Sequence, residues 1–367
     1  MARRNQKEKA SAIILWIIAI ILAVATVFVV YSYSVSKSDI IADESFAEGL
    51  SEAMGKPAGK ISAADLAEFE TMSIQHNAYL VDLYAMYGID TTGMDADGYT
   101  VSLTLPGYDS SIYTTEESTE EEIKAAEEND KLALYFETET LDYADFALFT
   151  GLKNASVYYD PTFDDVSVFS ASADKLETLL VYSGALGDIS AVASYPKLTS
   201  LSLGSNGISD ISAVAGLTEL TSLTLDDNAI TDISAVAGLT KLETLALDNN
   251  AIEDISAVKN LTALKTLYLN GTGVTDLSFA DALDNLEALY LDNNGIKDIS
   301  ALSSLDAEKI ATLSLDGNEI TDWAPVEAIK DKVVGYPEEE TEAEDEAEAE
   351  VETKTEAETE AGEEAAE

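Results

Sequence analysis

Three hydrophobic patterns divide the chain. The first is an unbroken block from Ala12 to Tyr31, AIILWIIAIILAVATVFVVY, with no charged residue. A helix of about 20 such residues spans roughly 30 Å, the thickness of a bilayer's hydrocarbon core. Arg3, Arg4, Lys7 and Lys9 precede it, and Asp39, Asp43 and Glu44 follow. Positive flanks stay in the cytoplasm, so the pattern predicts a signal-anchor over residues 12–32, a cytoplasmic segment 1–11 and export of the rest. The alternative is a cleaved leader, for which Ser34-Val35-Ser36 is a weak site and the apolar core is overlong. The second pattern is periodic and fills the centre. At the C-terminal end all pattern is lost: 16 of the 30 residues from Glu338 to Glu367 are acidic. With no apolar face to bury, 338–367 is expected to be a disordered acidic tail.

The periodic part has leucines at 176, 198, 220, 242, 264 and 286, each 22 residues after the last. Another unit opens at Ile310 and a degenerate one at Leu152, giving about eight turns over residues 152–337. In the unit from Leu198, Leu201 and Leu203 alternate with Ser200 and Ser202, the period of a short strand with one buried face. Asn206 recurs as Asn228, Asn250, Asn294 and Asn318, with Gly184 and Thr272 as exceptions. A buried amide there can satisfy backbone groups stranded between coils. Ile211, Val214 and Leu217 stand three apart, which suits a 3-10 turn. Asp210, like Asp188, Asp232, Asp254, Asp276, Asp298 and Asp322, is placed to cap it. No unit can bury its leucines alone, so the units must stack.

The motif LxxLxLxxNxIxDIS, in four close copies and three looser ones, resembles the leucine-rich-repeat family, in particular the bacterial 22-residue class to which internalins belong. The resemblance implies an α/β repeat solenoid: a leucine-rich-repeat horseshoe with short parallel strands on the concave face and 3-10 turns on the convex face, here preceded by one transmembrane helix. It also implies binding of a protein or glycan. The chain departs from the class at Ala213, Ala235 and Ala257, where Pro is usual; Pro325 alone keeps it. Upstream, Phe46 to Ile74 resembles the N-terminal cap of such domains. Residues 33–45 then read as a linker and 46–151 as cap plus irregular region. Within the latter we expect a helix over 79–87, a hairpin at 99–105, a helix over 120–129 and a decayed coil at Leu132–Phe136, so that the solenoid begins near residue 131 or, with an insertion, near 46.

Charge narrows the function. There are 70 acidic and 20 basic residues, a net charge of −50, and both arginines lie in the first four positions. Nucleic-acid recognition, which needs basic patches, is thereby disfavoured. No Cys and a single His, His76, leave no thiol nucleophile, disulfide, Fe–S or zinc-finger site. We expect neither enzyme activity nor a cofactor. Gly93 to Tyr99 has the sixth-position glycine of a calcium loop in Gly98, but Gly93 and Thr104 would fill places one and twelve, so an Asp-Gly turn is preferred. The GxG at Gly271 and Gly273 falls at a repeat turn, which accounts for it without a phosphate.

The candidate site is the sheet face opposite the leucines. Third places of the units are mostly hydroxyls, and fifth places include Tyr268 and Tyr290. Seventh places run Tyr158, Tyr182, Gly204, Asp226, Asp248, Asn270, Asp292 and Asp316. With strands about 4.8 Å apart, this makes an acidic column beside neighbouring tyrosines. Such aromatics anchor protein interfaces; the plainer reading is that each Asp only turns the chain. The expectation is a monomeric, membrane-anchored, extracytoplasmic protein that binds a protein or glycan through these residues. Its alternative is an acidic structural spacer or cation-binding layer without a specific partner.

Overall fold

The computed structural model describes residues 40–78, 96–112 and 120–337. The expected anchor at 12–32, the acidic tail and the helix expected over 79–87 lie outside the described residues. Among those described, no helix is long and apolar enough to cross a membrane.

The N-terminal end is a cap. Asp43 accepts the Phe46 N–H at 2.9 Å and starts α1 (Glu44–Met54), which Gly55 ends in the left-handed region at φ 60°. Ser62 and Asp65 form a capping box at α2 (Ala63–Leu66). Phe46, Leu50, Leu66 and Phe69 are buried in the same core as the repeat leucines. The buried Asp145 carboxylate accepts the N–H groups of Ala42 and Asp43 at 2.8 and 3.0 Å, closing the cap onto chain about a hundred residues on.

The sheet starts earlier than residue 152. Strand β1 (Thr71–His76) runs parallel to β4 (Asn154–Tyr158), and the chain between them is an insertion. It contributes β2 (Tyr99–Thr104), antiparallel to β1, and β3 (Ala133–Thr138), antiparallel to β2 at the sheet edge; α3 (Glu120–Asp130) precedes β3. Two expectations are thereby corrected. The segment 99–105 is the middle strand of three rather than a hairpin of its own, and Leu132–Phe136 lies in an antiparallel strand rather than a decayed coil. The reason is packing: Val101 and Leu103 pair with Ile74 and Met72 and extend their buried face, so both edges of β2 take up a neighbour. The expected all-parallel sheet therefore has an antiparallel end.

From β4 onward the coils are regular. Strands β5 (Thr178–Tyr182), β6 (Ser200–Ser202), β7 (Ser222–Thr224), β8 (Thr244–Ala246), β9 (Thr266–Tyr268), β10 (Ala288–Tyr290), β11 (Thr312–Ser314) and β12 (Val333–Val334) follow in order, each parallel to the last. Leu201, Leu223, Leu245, Leu267, Leu289 and Leu313 pair in register and are fully buried. Opposite the strands run 3-10 turns such as Ser212–Gly216 and Ser234–Gly238, which bury Val214 and Val236. The aspartates stand one place outside these turns: Asp210 reaches past Ile211 to accept the Ser212 N–H at 2.8 Å, and its equivalents do the same at 2.7–3.0 Å.

The asparagines form the expected ladder. Asn228 Nδ2 donates to the carbonyls of Leu203, Leu225 and Asp226, while its Oδ1 accepts the N–H groups of Asn206 and Ile208. One amide thus stitches two coils. Thr272 substitutes with its hydroxyl, which donates to Leu269 O and meets Asn294 Oδ1. The residue after each seventh place is left-handed: Ser183, Ser205, Asp227, Asn249, Gly271, Asn293 and Gly317 have φ of 54–68°. That geometry, natural to glycine, explains the first glycine of the GxG.

Candidate binding surface

The strands turn every second side chain away from the core, and this brings Tyr268 and Tyr290 together. They are register partners on β9 and β10, with ring centroids 4.5 Å apart and planes within 5°. Both rings are half-buried. Burial raises the Tyr268 phenol above its ordinary value, reinforced by Tyr290 and then by the Asp248 and Asp226 carboxylates. Next to Tyr268 in the fifth row lies Ala246, the smallest side chain of that row.

The second aromatic group is built differently. Tyr158 and Tyr182 are also register partners, but their rings are bridged by Tyr159, 6.5 Å from the first and 5.4 Å, edge-on, from the second. Sequence reasoning passed over Tyr159 because it lies after the strand; its left-handed φ of 56° swings it beside the other two. The Tyr182 ring overlies Gly204, where an added Cβ would stand 3.1 Å from it.

The acidic column does structural work as well. Asn270 donates its N–H to Asp248 Oδ1 at 2.7 Å and its Nδ2–H to Asp248 Oδ2 at 3.1 Å. Asp292 N–H donates to Asn270 Oδ1 at 2.8 Å, and Asp316 N–H to Asp292 Oδ1 at 2.8 Å. Each seventh-place side chain here holds the next coil. Asp226 is the exception: its buried Oδ1 finds no hydrogen-bond partner among the described residues. Burial, then repulsion from Asp248, raises its pKa above the ordinary value. Asp248 is raised too, by burial first, although hydrogen bonds from Asn270 pull the other way. Asp316 is exposed at the end of the row.

A second unsatisfied carboxylate was not anticipated. Asp160 fills the asparagine place one coil before Gly184 and is fully buried. Its Oδ1 accepts from the N–H and hydroxyl of Thr162 at 2.9 and 2.7 Å, while Oδ2 is unpartnered among the described residues. Asp160 stands eight residues after Leu152, as Asn206 does after Leu198, so the place was readable in the sequence although its burial was not. His76 closes β1 against the edge of Tyr99, ring centroids 5.0 Å apart, and accepts the Ala78 N–H at Nδ1. Residues 96–98 form a turn into β2; the earlier part of the loop weighed as a calcium site lies outside the described residues. Among the described residues no group of three or more His, Cys, Asp or Glu could hold a metal ion.

Family models for leucine-rich repeats match residues 218–260 and 262–304 as two-copy units and 196–215 as a single repeat. No curated protein sequence matches the chain. Among solved structures, an internalin (inlF) from Listeria monocytogenes is 31% identical, over 54% of this chain and 52% of that one, with a TM-score of 0.41. The match thus spans about half of that internalin's own length. Internalin C2 (inlC2) of the same organism is 22% identical over 79% of this chain and 91% of its own, with a TM-score of 0.45. A leucine-rich-repeat protein from Leptospira interrogans is 22% identical over 51% of this chain and 54% of its own, with a TM-score of 0.39. The matched family models, the 22-residue period and the in-register leucines together show that the chain carries leucine-rich repeats within residues 196–304.

Proposed function

We propose that this chain is a membrane-tethered, extracytoplasmic binding protein that acts as a monomer and takes a protein partner on the strand face of its solenoid. The observation that carries the reading is the stacked pair Tyr268 and Tyr290, two half-buried rings among small polar side chains. The sheet face needs no such rings for its own stability, since the leucines fill the other side. Interface anchors have this character: large, rigid and amphipathic, with little side-chain entropy to lose. The tether rests on the apolar block at 12–32 and the charge step across it. The competing reading, an acidic spacer or cation-binding layer, rests on net charge alone.

The test is affinity capture from the surroundings of the source cell with the full chain and with Tyr268→Ala/Tyr290→Ala, both checked for folding by circular dichroism. A protein retained by the parent and lost by the variant supports the reading. Equal retention of every captured protein moves the site to Tyr158 and Tyr182.

A further inference from the structure

The sheet face has a charge imbalance that its own chain does not neutralise. In the units from Leu176 to Asp316, the third, fifth and seventh places contain no Lys or Arg, while the seventh holds Asp226, Asp248, Asp292 and Asp316. Four of the coil lysines are engaged away from the seventh-place row. Lys241 pairs with Glu219 and Lys265 with Glu243, both at 2.7 Å; Lys297 pairs with Glu319 at 2.9 Å; Lys309 donates to Asp284 O at 2.7 Å. Asp226 and Asp248 are half-buried beside Tyr268, and both carboxylates act on its phenol. Because Tyr290 covers one face of the Tyr268 ring, the other face looks across Ala246, with the two carboxylates two residues past the ends of β7 and β8.

We propose that this patch, the free face of Tyr268 with Asp226 and Asp248, receives an arginine side chain from an exposed segment of the partner protein. The inference rests on the binding reading above and names the chemistry of its ligand. A planar, weakly hydrated guanidinium lies flat on a phenol ring and directs its N–H fork at carboxylates in the same plane; an ammonium cannot do both. Burial strengthens the attraction, because carboxylates partly withdrawn from water gain most from an incoming cation. Burial raises the pKa of both aspartates, with repulsion from neighbouring carboxylates adding to it, and a cation seated between them would offset that penalty.

The probes are three capped peptides, Gly-Arg-Gly-Arg-Gly and its lysine and citrulline counterparts, titrated calorimetrically into the full chain at physiological ionic strength. The arginine peptide should bind more tightly than the lysine one, and the citrulline one, which keeps the shape but not the charge, should not bind. Tyr268→Ala leaves net charge unchanged and should weaken arginine binding by about tenfold. Asp226→Asn/Asp248→Asn should weaken it by at least as much. The charge-matched control Glu253→Gln/Glu308→Gln, at exposed sites, should change it by less than about twofold. Equal losses for both acidic pairs, or no effect of Tyr268→Ala, would show a diffuse field and overturn the proposal. If capture depends on the tyrosines while no arginine peptide binds, the binding reading stands and the arginine assignment fails.

Discussion

At the scale of single residues, five aspartates of the turn row and two of the sheet row are shifted in opposite directions. Asp210, Asp232, Asp254, Asp276 and Asp298 are lowered by backbone and side-chain hydrogen bonds from the serine two places on. They favour folding above the ordinary carboxylate range, and that contribution fades as pH falls through their lowered values. Asp226 and Asp248 on the sheet are raised, so they favour folding in acid and oppose it once pH has risen through their folded values. Asp226→Asn should therefore raise the melting temperature at neutral pH, and the gain should shrink toward and below the ordinary value of 3.8. A pH-independent gain would mean that charge is not the cause. Of these rows, the first was legible in the sequence, because the Asp-Ile-Ser spacing states its own hydrogen bond. The second was legible only as a column of residues. Which of its members is tied to the next coil, as Asp248 is, and which is left over, as Asp226 is, depends on contacts across 22 residues.

At the scale of elements, each coil from β6 to β11 is a strand of three residues, a left-handed corner, a turn and a return, too short to persist by itself. Its stability comes from layers of leucine against leucine. Leu225 is fully buried in the same core as Leu203 and Leu247 of the adjacent coils, and Leu225→Ala should cost about 2–5 kcal/mol in chemical denaturation. Ser222→Ala, on the solvent side of β7, should change stability by less than about 0.5 kcal/mol. Comparable losses would mean that the two faces have been exchanged. The coils were readable because one local pattern repeats until accident is excluded. The insertion was legible only as an alternative: β2 owes its place to pairing with β1 and β3 to pairing with β2, and nothing within 99–105 or 132–138 announces those partners. A strand whose neighbour lies 23 or more residues away in sequence looks, locally, like any apolar run.

At the scale of the whole molecule, a net charge of −50 works against compactness. Exposed pairs such as Lys241 with Glu219 contribute at most about 1 kcal/mol each. Repulsion summed over the surface should outweigh them, so added salt should raise the unfolding temperature as it screens the field. A fall on adding salt would show that the paired lysines govern stability instead. The arrangement of the sheet has one more consequence. Tyr182 on β5 and Tyr268 on β9 are four strand steps apart, roughly 19 Å at about 4.8 Å per strand. Every coil between them presents interchangeable edges, the same leucine register and the same amide stitch. Duplicating one 22-residue unit there would move the two aromatic groups apart by a single rung while leaving each intact. The solenoid is thus a ruler with marked ends, and a lineage could alter the spacing its partner must match only in whole rungs.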